Sequence, residues 1–475
     1  MGINIQAFNV LYRASIYGDV RMVRISMPYF RFLCSGNVMT SDFIGIDFGT
    51  SNCAVAAWVD NKPTLIVVDE NSENPYKIRS AIYLTNDESG AVSNDAQDNQ
   101  QTLNDMLSSG QILFGEQGFK AFLLTPDEGR YVNSPKNFLG AKIPKRLLDN
   151  FEILVIRFLS YLKQCAEKQL HKTINKAVIA RPVNYHSTMG ELGNQQAEAL
   201  MLRAAHKAGF EDAEFIHEPL AAAYHFEQHI KQPTKAMIVD LGGGTSDVTF
   251  CSLSQEKADK LDRDDDIFST QGIRQGGIMS DKDLANGLVS PLFGRGGRTA
   301  DNRALPNMLF FGAYSIDNMP EMTDFYTLKR TKLITEYIIE SEDPIPLMRL
   351  QRVQKNRLTH QLMHAIELAK INLSDAEKTT LDLSFIEHKL AISITRNKVS
   401  ETMTQWLSKM FAMIDSAISE GHQQPEIIYL TGGMGLSPLV QQALSQRYSD
   451  VEINVADAFS SVVLGALLKA KRLYS

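Results

Sequence analysis

Residues 238–247 read Ile-Val-Asp240-Leu-Gly242-Gly243-Gly244-Thr245-Ser246-Asp247. An apolar run reaches an acid, turns through three glycines and a Thr-Ser pair, and resumes as a strand over 248–253. The same design stands earlier in the chain. Ile44-Gly-Ile-Asp47-Phe-Gly49-Thr50-Ser51 leads into a second apolar run over 54–59. Each passage reads as a β-hairpin with glycine at its tip. One such hairpin needs no explanation beyond a tight turn with φ > 0. Turn geometry does not require the same Asp, Gly, Thr and Ser twice, so the repeat implies two related halves presenting hairpins to a shared cleft.

A glycine tip exposes successive backbone N–H groups, a concavity suited to phosphate oxygens, and adjacent hydroxyls add hydrogen bonds. An Asp ahead of the glycine can hold Mg²⁺ through water, since that ion keeps much of its hydration. Two opposed hairpins would grip a polyphosphate from both sides. Other phosphate-binding signatures are missing: G-x-x-x-x-G-K-[ST], the kinase set in which H-R-D accompanies D-F-G, and G-x-G-x-x-G.

Around the hairpins, strands are expected over 176–180 and 426–430, and helices over 195–208, with Gly209 as C-cap, and 459–470. Residues 215–218 read as a strand leading into a helix with Pro219 at its first position. Alternating strands and helices in two halves give an α/β fold. Residues 291–346, with a Gly-rich run at 294–297, show weak periodicity and read as an insertion.

Composition narrows the rest. The 475 residues are 44% apolar and 22% charged, enough for a large core in two lobes. Lys plus Arg total 48 against 55 acids, a formal charge of −7, which disfavours nucleic acid as a partner. No apolar stretch reaches membrane-span length, so no membrane partner is expected. Cys34, Cys53, Cys165 and Cys251 are scattered, with no CxxC pair, which suits a reducing, cytoplasmic setting. Residues 1–38 carry four arginines and one acid, a composition shared with transit peptides. The simpler expectation is a disordered extension or a misassigned start ahead of Met39.

With His217-Glu218-Pro219-Leu-Ala-Ala-Ala223, Glu367-Leu-Ala-Lys370, Leu373-Ser374 and Ile394-Thr395-Arg396 in the same order, the chain from about Phe43 onward resembles the nucleotide-binding domain of DnaK-type chaperones. That is the heat-shock protein 70 branch of the actin and sugar-kinase superfamily, and the likeness is greatest to its short members. The resemblance implies an actin-like ATPase: lobe I over 43–230, lobe II over 231–455 with the insertion, and a helix over 456–475 returning to lobe I. Residues 1–42 stand outside it. Ending ten residues after Gly465, the chain is expected to have no peptide-binding domain.

The resemblance also assigns roles. Asp47, Asp240 and Asp247 would orient Mg²⁺ and its waters. Gly49, Thr50, Ser51, Gly242, Gly243, Gly244 and Thr245 would meet the phosphates of ATP. Lys136 and Glu218, with Asp240 and Thr245, would serve hydrolysis. Glu367, Lys370 and Ser374 would surround the ribose and adenine, and Gly432 and Gly433 would line the base. Spacing alone puts residues 367, 370 and 374 on one helical face and says no more. Lys136 alone reads as a solvated lysine, and Glu218 as an acid that favours a helix N-terminus.

The pattern is departed from in several places. Ile371 and Leu436 stand where the family clamps adenine with arginines, which removes a cation–π contribution of about 0.5–2 kcal/mol each. The stretch between Gly277 and Glu367 is long. No clear counterpart of the family's relay arginine follows Pro182, and Phe459 or Asp457 stands where an acid precedes the last helix. His360 and His364 have metal-ligand spacing without a third ligand and read as an ordinary surface or core pair. Residues 262–266 read as a solvated acidic turn.

Three functions remain open. The first is a DnaK-like chaperone ATPase with a protein client or partner of unknown identity. The others are a small-molecule kinase on the same fold and a non-catalytic nucleotide-dependent interaction module.

Overall fold

The computed structural model describes residues 11–16, 19–24, 40–85, 111–126, 128–185, 189–258, 260, 263–455 and 460–475. The chain forms two units, 1–39 and 40–475. In the first, Leu11–Ile16 pairs antiparallel with Asp19–Arg24.

The second unit is built on two sheets that share a five-strand design, sheet I carrying the short Ile78–Arg79 as a sixth strand. In sheet I, Lys62–Leu65, Asn52–Val59 and Thr40–Phe48 run antiparallel, and Lys176–Arg181 and Asp212–His217 then add in parallel. In sheet II, Ile267–Ile273, Ser246–Leu253 and Thr234–Leu241 run antiparallel, followed in parallel by Ile427–Thr431 and Glu452–Val455. Register matches too. Asp47 pairs with Ala54 on one side and Ala180 on the other, and Asp240 with Asp247 and Thr431. The central strands are buried on both faces, so they read as continuous apolar runs.

A third core lies between the sheets. Helices Glu218–Glu227 and Ser461–Tyr474 cross there, burying Ala221, Ala222, Ala223, Val463, Ala466 and Leu467 against Phe43, Val178, Ala236 and Ile238. Small residues let the backbones meet. A Cβ on Gly465 would stand 1.6 Å from the Ala221 carbonyl oxygen, and one on Gly45 would stand 2.4 Å from the Leu467 nitrogen. Two further elements matter to the site. One is a small sheet of Ile112–Phe114, Ala81–Thr85 and Gly129–Asn133 with helix Gly115–Leu124. The other is helix Thr359–Asp375, beside sheet II.

Several expectations need adjustment. The helix expected over 195–208 begins at Glu191, although Gly209 does follow its end, at φ +96°. The strand expected to end at Glu218 ends at His217, so Glu218 opens the next helix and Pro219 is its second residue. Residues 426–430 shift to Ile427–Thr431, and the last helix runs Ser461–Tyr474. Phe459 and Asp457 lie outside the described residues, as do 1–10, 17–18 and 25–38. The weakly periodic 291–346, read as an insertion, is part of the folded core. It folds into short turns and the helices Met319–Phe325 and Leu328–Glu340, and it sends Phe293, Leu309, Phe310, Tyr314, Phe325 and Ile334 into the core under sheet II. Periodicity is weak there because the buried residues come from turns as much as from helices. The acidic turn is only partly solvated: Asp264 and Asp265 are exposed, but Asp266 pairs with Arg263, which is bound in turn to the buried Glu227.

Candidate functional site

The two hairpin tips touch. A Cβ on Gly243 would fall 1.8 Å from Ser51 Oγ, and one on Gly244 would fall 2.7 Å from the Thr50 side chain and 3.1 Å from Asn137 Oδ1. Glycine is needed because the opposite tip occupies the space. In the second tip, Gly242 N–H donates to the Thr245 carbonyl at 3.0 Å, closing the turn with the Thr245 side chain half-exposed. Its other carbonyls are taken from behind: Gly277 N–H donates to Gly242, and Ile278 N–H to Gly243. Gly49 is likewise hemmed in, its missing Cβ lying 2.3 Å from the Asn52 carbonyl oxygen.

Lys136 sits in the short turn Pro135–Phe138, entered through Ser134 at φ +51°. Its Nζ donates to Glu218 Oε1 at 2.5 Å, with both residues buried. Burial alone would pull the ammonium's pKa down. Glu218, Tyr185 and Asp47 together outweigh it and leave the pKa raised, so the lysine is firmly charged. Glu218 is placed at the start of its helix by strand Asp212–His217, at the seam between the sheets.

Three aspartates share this neighbourhood. Burial first, then the Glu218 charge, lifts Asp47 and Asp247 to about 7 and Asp240 well above its usual range. Asp247 Oδ1 accepts from Val183 N–H at 2.9 Å, while its Oδ2 is buried without a hydrogen-bond partner. Four carboxylates thus face one lysine, an arrangement short of positive charge. Among the described residues no three acidic, histidine or cysteine groups converge closely enough to ligate one ion directly. Hard, crowded oxygens with one orphaned acceptor fit Mg²⁺ held through water.

The nucleoside candidates lie to one side. Glu367, Lys370 and Ser374 share helix Thr359–Asp375. Lys370 is committed to Asp281 at 2.7 Å and to the Gly277 carbonyl at 3.2 Å. Glu367 has His364 at 3.5 Å and Arg79 at 3.9 Å, and against the effect of burial these and Lys370 hold its pKa down to about 2. Ser374 is half-buried near the helix end. There Arg396 donates to the carbonyls of Leu373, Ser374 and Ala376, so the arginine of the Ile394-Thr395-Arg396 motif caps this helix. Gly432, at φ +76°, lies against Asp240: a Cβ there would stand 2.6 Å from Asp240 Oδ1. Gly433 faces open space. Ile371 and Leu436 are both exposed.

The fold therefore gathers Asp47, Gly49, Thr50, Ser51, Lys136, Glu218, Asp240, Gly242, Gly243, Gly244, Thr245 and Asp247 at one seam, with Gly432 beside Asp240. Sequence reasoning missed Arg79, Asn137, Asp281 and Trp406. Trp406 is fully buried and donates to the Gly276 carbonyl at 3.1 Å, and Gly276 packs directly on Gly243. Asn137 follows Lys136 in Lys136-Asn-Phe-Leu-Gly140, and the other three stand in no motif. His360 and His364 pack as a core pair against aromatic rings from the other half of the unit.

A duplicated two-sheet α/β unit with an Asp-and-glycine hairpin on each sheet is the actin-like ATPase architecture. The chain belongs to the Hsp70 protein family, whose sequence pattern matches residues 43–259 and 332–473. It is 30% identical over 217 residues to a chaperone protein HscA homolog of Rickettsia bellii, covering 45% of this chain and 32% of that protein. It is 23% identical over 468 residues to the mitochondrial heat shock 70 kDa protein of Pisum sativum, covering 95% and 58%. The chaperone protein DnaK of Nitrosopumilus maritimus is 23% identical over 442 residues, covering 90% and 55%. The chain thus spans between about a third and three-fifths of the length of these relatives.

Proposed function

We propose that the protein is an Hsp70-type ATPase that binds Mg·ATP at the seam between its two sheets and hydrolyses it slowly. The observation that carries this is the meeting of two Asp-Gly-Thr/Ser hairpins over the buried Lys136–Glu218 pair. Phosphoryl transfer depends on positioning and charge neutralisation more than on covalent chemistry. The tip amides and the Thr50, Ser51 and Thr245 hydroxyls bind phosphate oxygens. Lys136, held charged by Glu218, places its ammonium where negative charge develops. Asp47, Asp240 and Asp247 would hold Mg²⁺ through its waters. When bound, Mg²⁺ supplies charge neutralisation across the phosphates.

In this reading Glu367, Lys370 and Ser374 meet the nucleoside and Gly432 and Gly433 meet the base. The unit divides into lobe I (43–230), lobe II (231–455) and a returning C-terminal segment (456–475) whose helix is Ser461–Tyr474. Exposed Ile371 and Leu436 offer an apolar sandwich without cations, so selectivity for adenine over guanine should be weak. The kinship to DnaK and HscA supports reading it as a cytoplasmic chaperone with a protein client. That no helix among the described residues is long and apolar enough to cross a membrane is compatible with it. The alternatives are a nucleotide-dependent interaction module without turnover and a small-molecule kinase of the same fold.

The test is single-turnover hydrolysis of Mg·ATP by wild type beside Lys136→Ala and Asp240→Ala. Phosphate release by wild type, lost in both folded variants, supports the ATPase. Binding without turnover moves the module ahead, and transfer to a metabolite instead of water would favour a kinase.

A further inference from the structure

Helix Glu218–Glu227 begins and ends on a buried carboxylate. Glu218 opens it at the seam and holds Lys136. Glu227 closes it at the opposite end of sheet II. There it meets Ser254, just past the Thr234–Leu253 pair, whereas the hairpin tip lies beyond Leu241 and Ser246. The rise of an α-helix separates the two acids by about 13 Å. An acid in the last turn is opposed by the helix dipole, and full burial also strips its hydration, so Glu227 is an unfavourable residue for the helix taken alone.

What holds Glu227 comes from outside the helix. Arg263, buried in the connection between strands Ser246–Leu253 and Ile267–Ile273, donates through Nη1 to Oε2 and through Nη2 to Oε1, both at 2.7 Å. Ser254 N–H donates to Oε1 at 2.9 Å. The fork is itself fixed, since Arg263 Nε donates to Asp266 Oδ2 at 2.6 Å and Asp266 also pairs with Lys257. From the last helix, Arg472 lies 3.9 Å from Glu227 Oε2, with its guanidinium over Tyr224 at 4.3 Å. Charge-assisted bonds of fixed geometry thus tie the end of the helix to sheet II. Between the ends, Ala221, Ala222 and Ala223 are buried against the last helix, so the rod is supported along its length.

We propose that Glu227 is a positioning residue for hydrolysis. Gripped by Arg263, it fixes where the helix stands against sheet II, and the helix carries that setting to Glu218 and so to the Lys136 ammonium. The proposal rests on the reading of Lys136 as the group that meets developing charge. A buried ion pair adds little net stability over apolar side chains of similar size, whereas a two-point fork defines one axial position. Misplacement of a reacting group by about 1 Å can slow a step about 100-fold, so loosening this strut acts on turnover rather than on nucleotide binding.

The test uses the full chain carrying Glu227→Gln with Arg263→Met. Glutamine keeps the Ser254 contact, and removing both charges strands neither. Single-turnover hydrolysis of Mg·ATP, the Kd of a fluorescent ATP analogue and the melting temperature are measured. Beside them, the ¹⁵N signal of the Lys136 ammonium is recorded without nucleotide, assigned by its loss in Lys136→Met. Hydrolysis should fall about 10-fold with Kd and melting temperature unchanged, and the Lys136 signal should shift. Arg263→Lys keeps the charge without the fork and should give a smaller loss, about 3-fold; if the double variant does not fold, this variant carries the same readouts. Wild-type turnover with an unmoved Lys136 signal overturns the strut. A fall in affinity and melting temperature with that signal unmoved overturns it too, by making the anchor structural only. A wild type that never hydrolyses ATP overturns the reading of Lys136; the ammonium signal then decides the strut separately.

Discussion

Lys136 Nζ lies 2.5 Å from Glu218 Oε1, both side chains shielded from water at the seam where the two sheets meet. Removing one partner of such a pair leaves an uncompensated buried charge, a loss of about 3–5 kcal/mol, whereas removing both is often nearly neutral. Lys136→Met should therefore lower the melting temperature sharply, and the double change Lys136→Met with Glu218→Gln should recover most of it. Hydrolysis should stay lost in the double variant. Recovered turnover there would show that the pair is only structural.

Asp247 has a buried oxygen without a donor in a neighbourhood of four carboxylates. Asp247→Asn relieves that crowding. It should stabilise the Mg²⁺-free protein by about 1 kcal/mol and abolish any rise in melting temperature on adding Mg²⁺. Thermal scans with and without Mg²⁺ decide the matter; a variant that still responds to Mg²⁺ removes Asp247 from the metal reading.

The His360 ring is held down to about 4, first by burial and then by the Arg79 charge. Its folded pKa is below the unfolded value, so its contribution is fully present above about pH 6.5. That contribution is lost as pH falls toward 4, where only the unfolded chain takes the proton. Between pH 7.5 and 5 the protein should lose on the order of 1 kcal/mol through this group, the half-buried ring being partly screened. His360→Phe, which keeps the edge-on contacts without titrating, should flatten that part of the pH profile in urea unfolding. An identical slope in the variant would place the titration elsewhere.

Trp406 donates to the Gly276 carbonyl, and Gly276 packs on Gly243 of the second tip, so the indole is one residue removed from the phosphate loop. The only other tryptophan, Trp58, lies under Lys471, 4.1 Å from its ring centroid. Mg·ATP should change tryptophan emission in wild type and in Trp58→Phe, and the signal should vanish in Trp406→Phe. A response surviving in Trp406→Phe would disconnect Gly276 from the loop.

Close approach gives a fifth kind of test. Gly243→Ala puts a methyl against Ser51 and must part the tips, which should weaken nucleotide binding about tenfold. Ser51→Gly in the same chain should restore part of it. Gly465→Ala meets the Ala221 backbone, which cannot yield as a hydroxyl can, and should cost about 3 kcal/mol or more of stability in denaturant titration. Wild-type behaviour from both variants would mean that neither contact is tight.

What could be read without coordinates was whatever short-range order writes into neighbouring residues. The apolar-acid-glycine hairpins, the Pro219 entry to a helix and the Gly209 exit from another are local, because turn and cap chemistry is set within a few residues. The repeat announced two matching halves, and the sheets carry it through in strand order and register. Element ends slipped by one to four residues where the helix start lacked a strong cap: at Gly190, ahead of Glu191, no side chain caps the first turn. Only the tertiary structure decided that Lys136 meets Glu218, that Asp247 keeps an orphaned oxygen, and that Glu227 meets Arg263. Each depends on residues far apart in the chain, so their meeting is set by how sheets and helices pack. Residue type and spacing carry no record of it. The weakly periodic 291–346 gives the same lesson from the other side, since its buried Phe310 and Tyr314 reach the core from turns that no period describes.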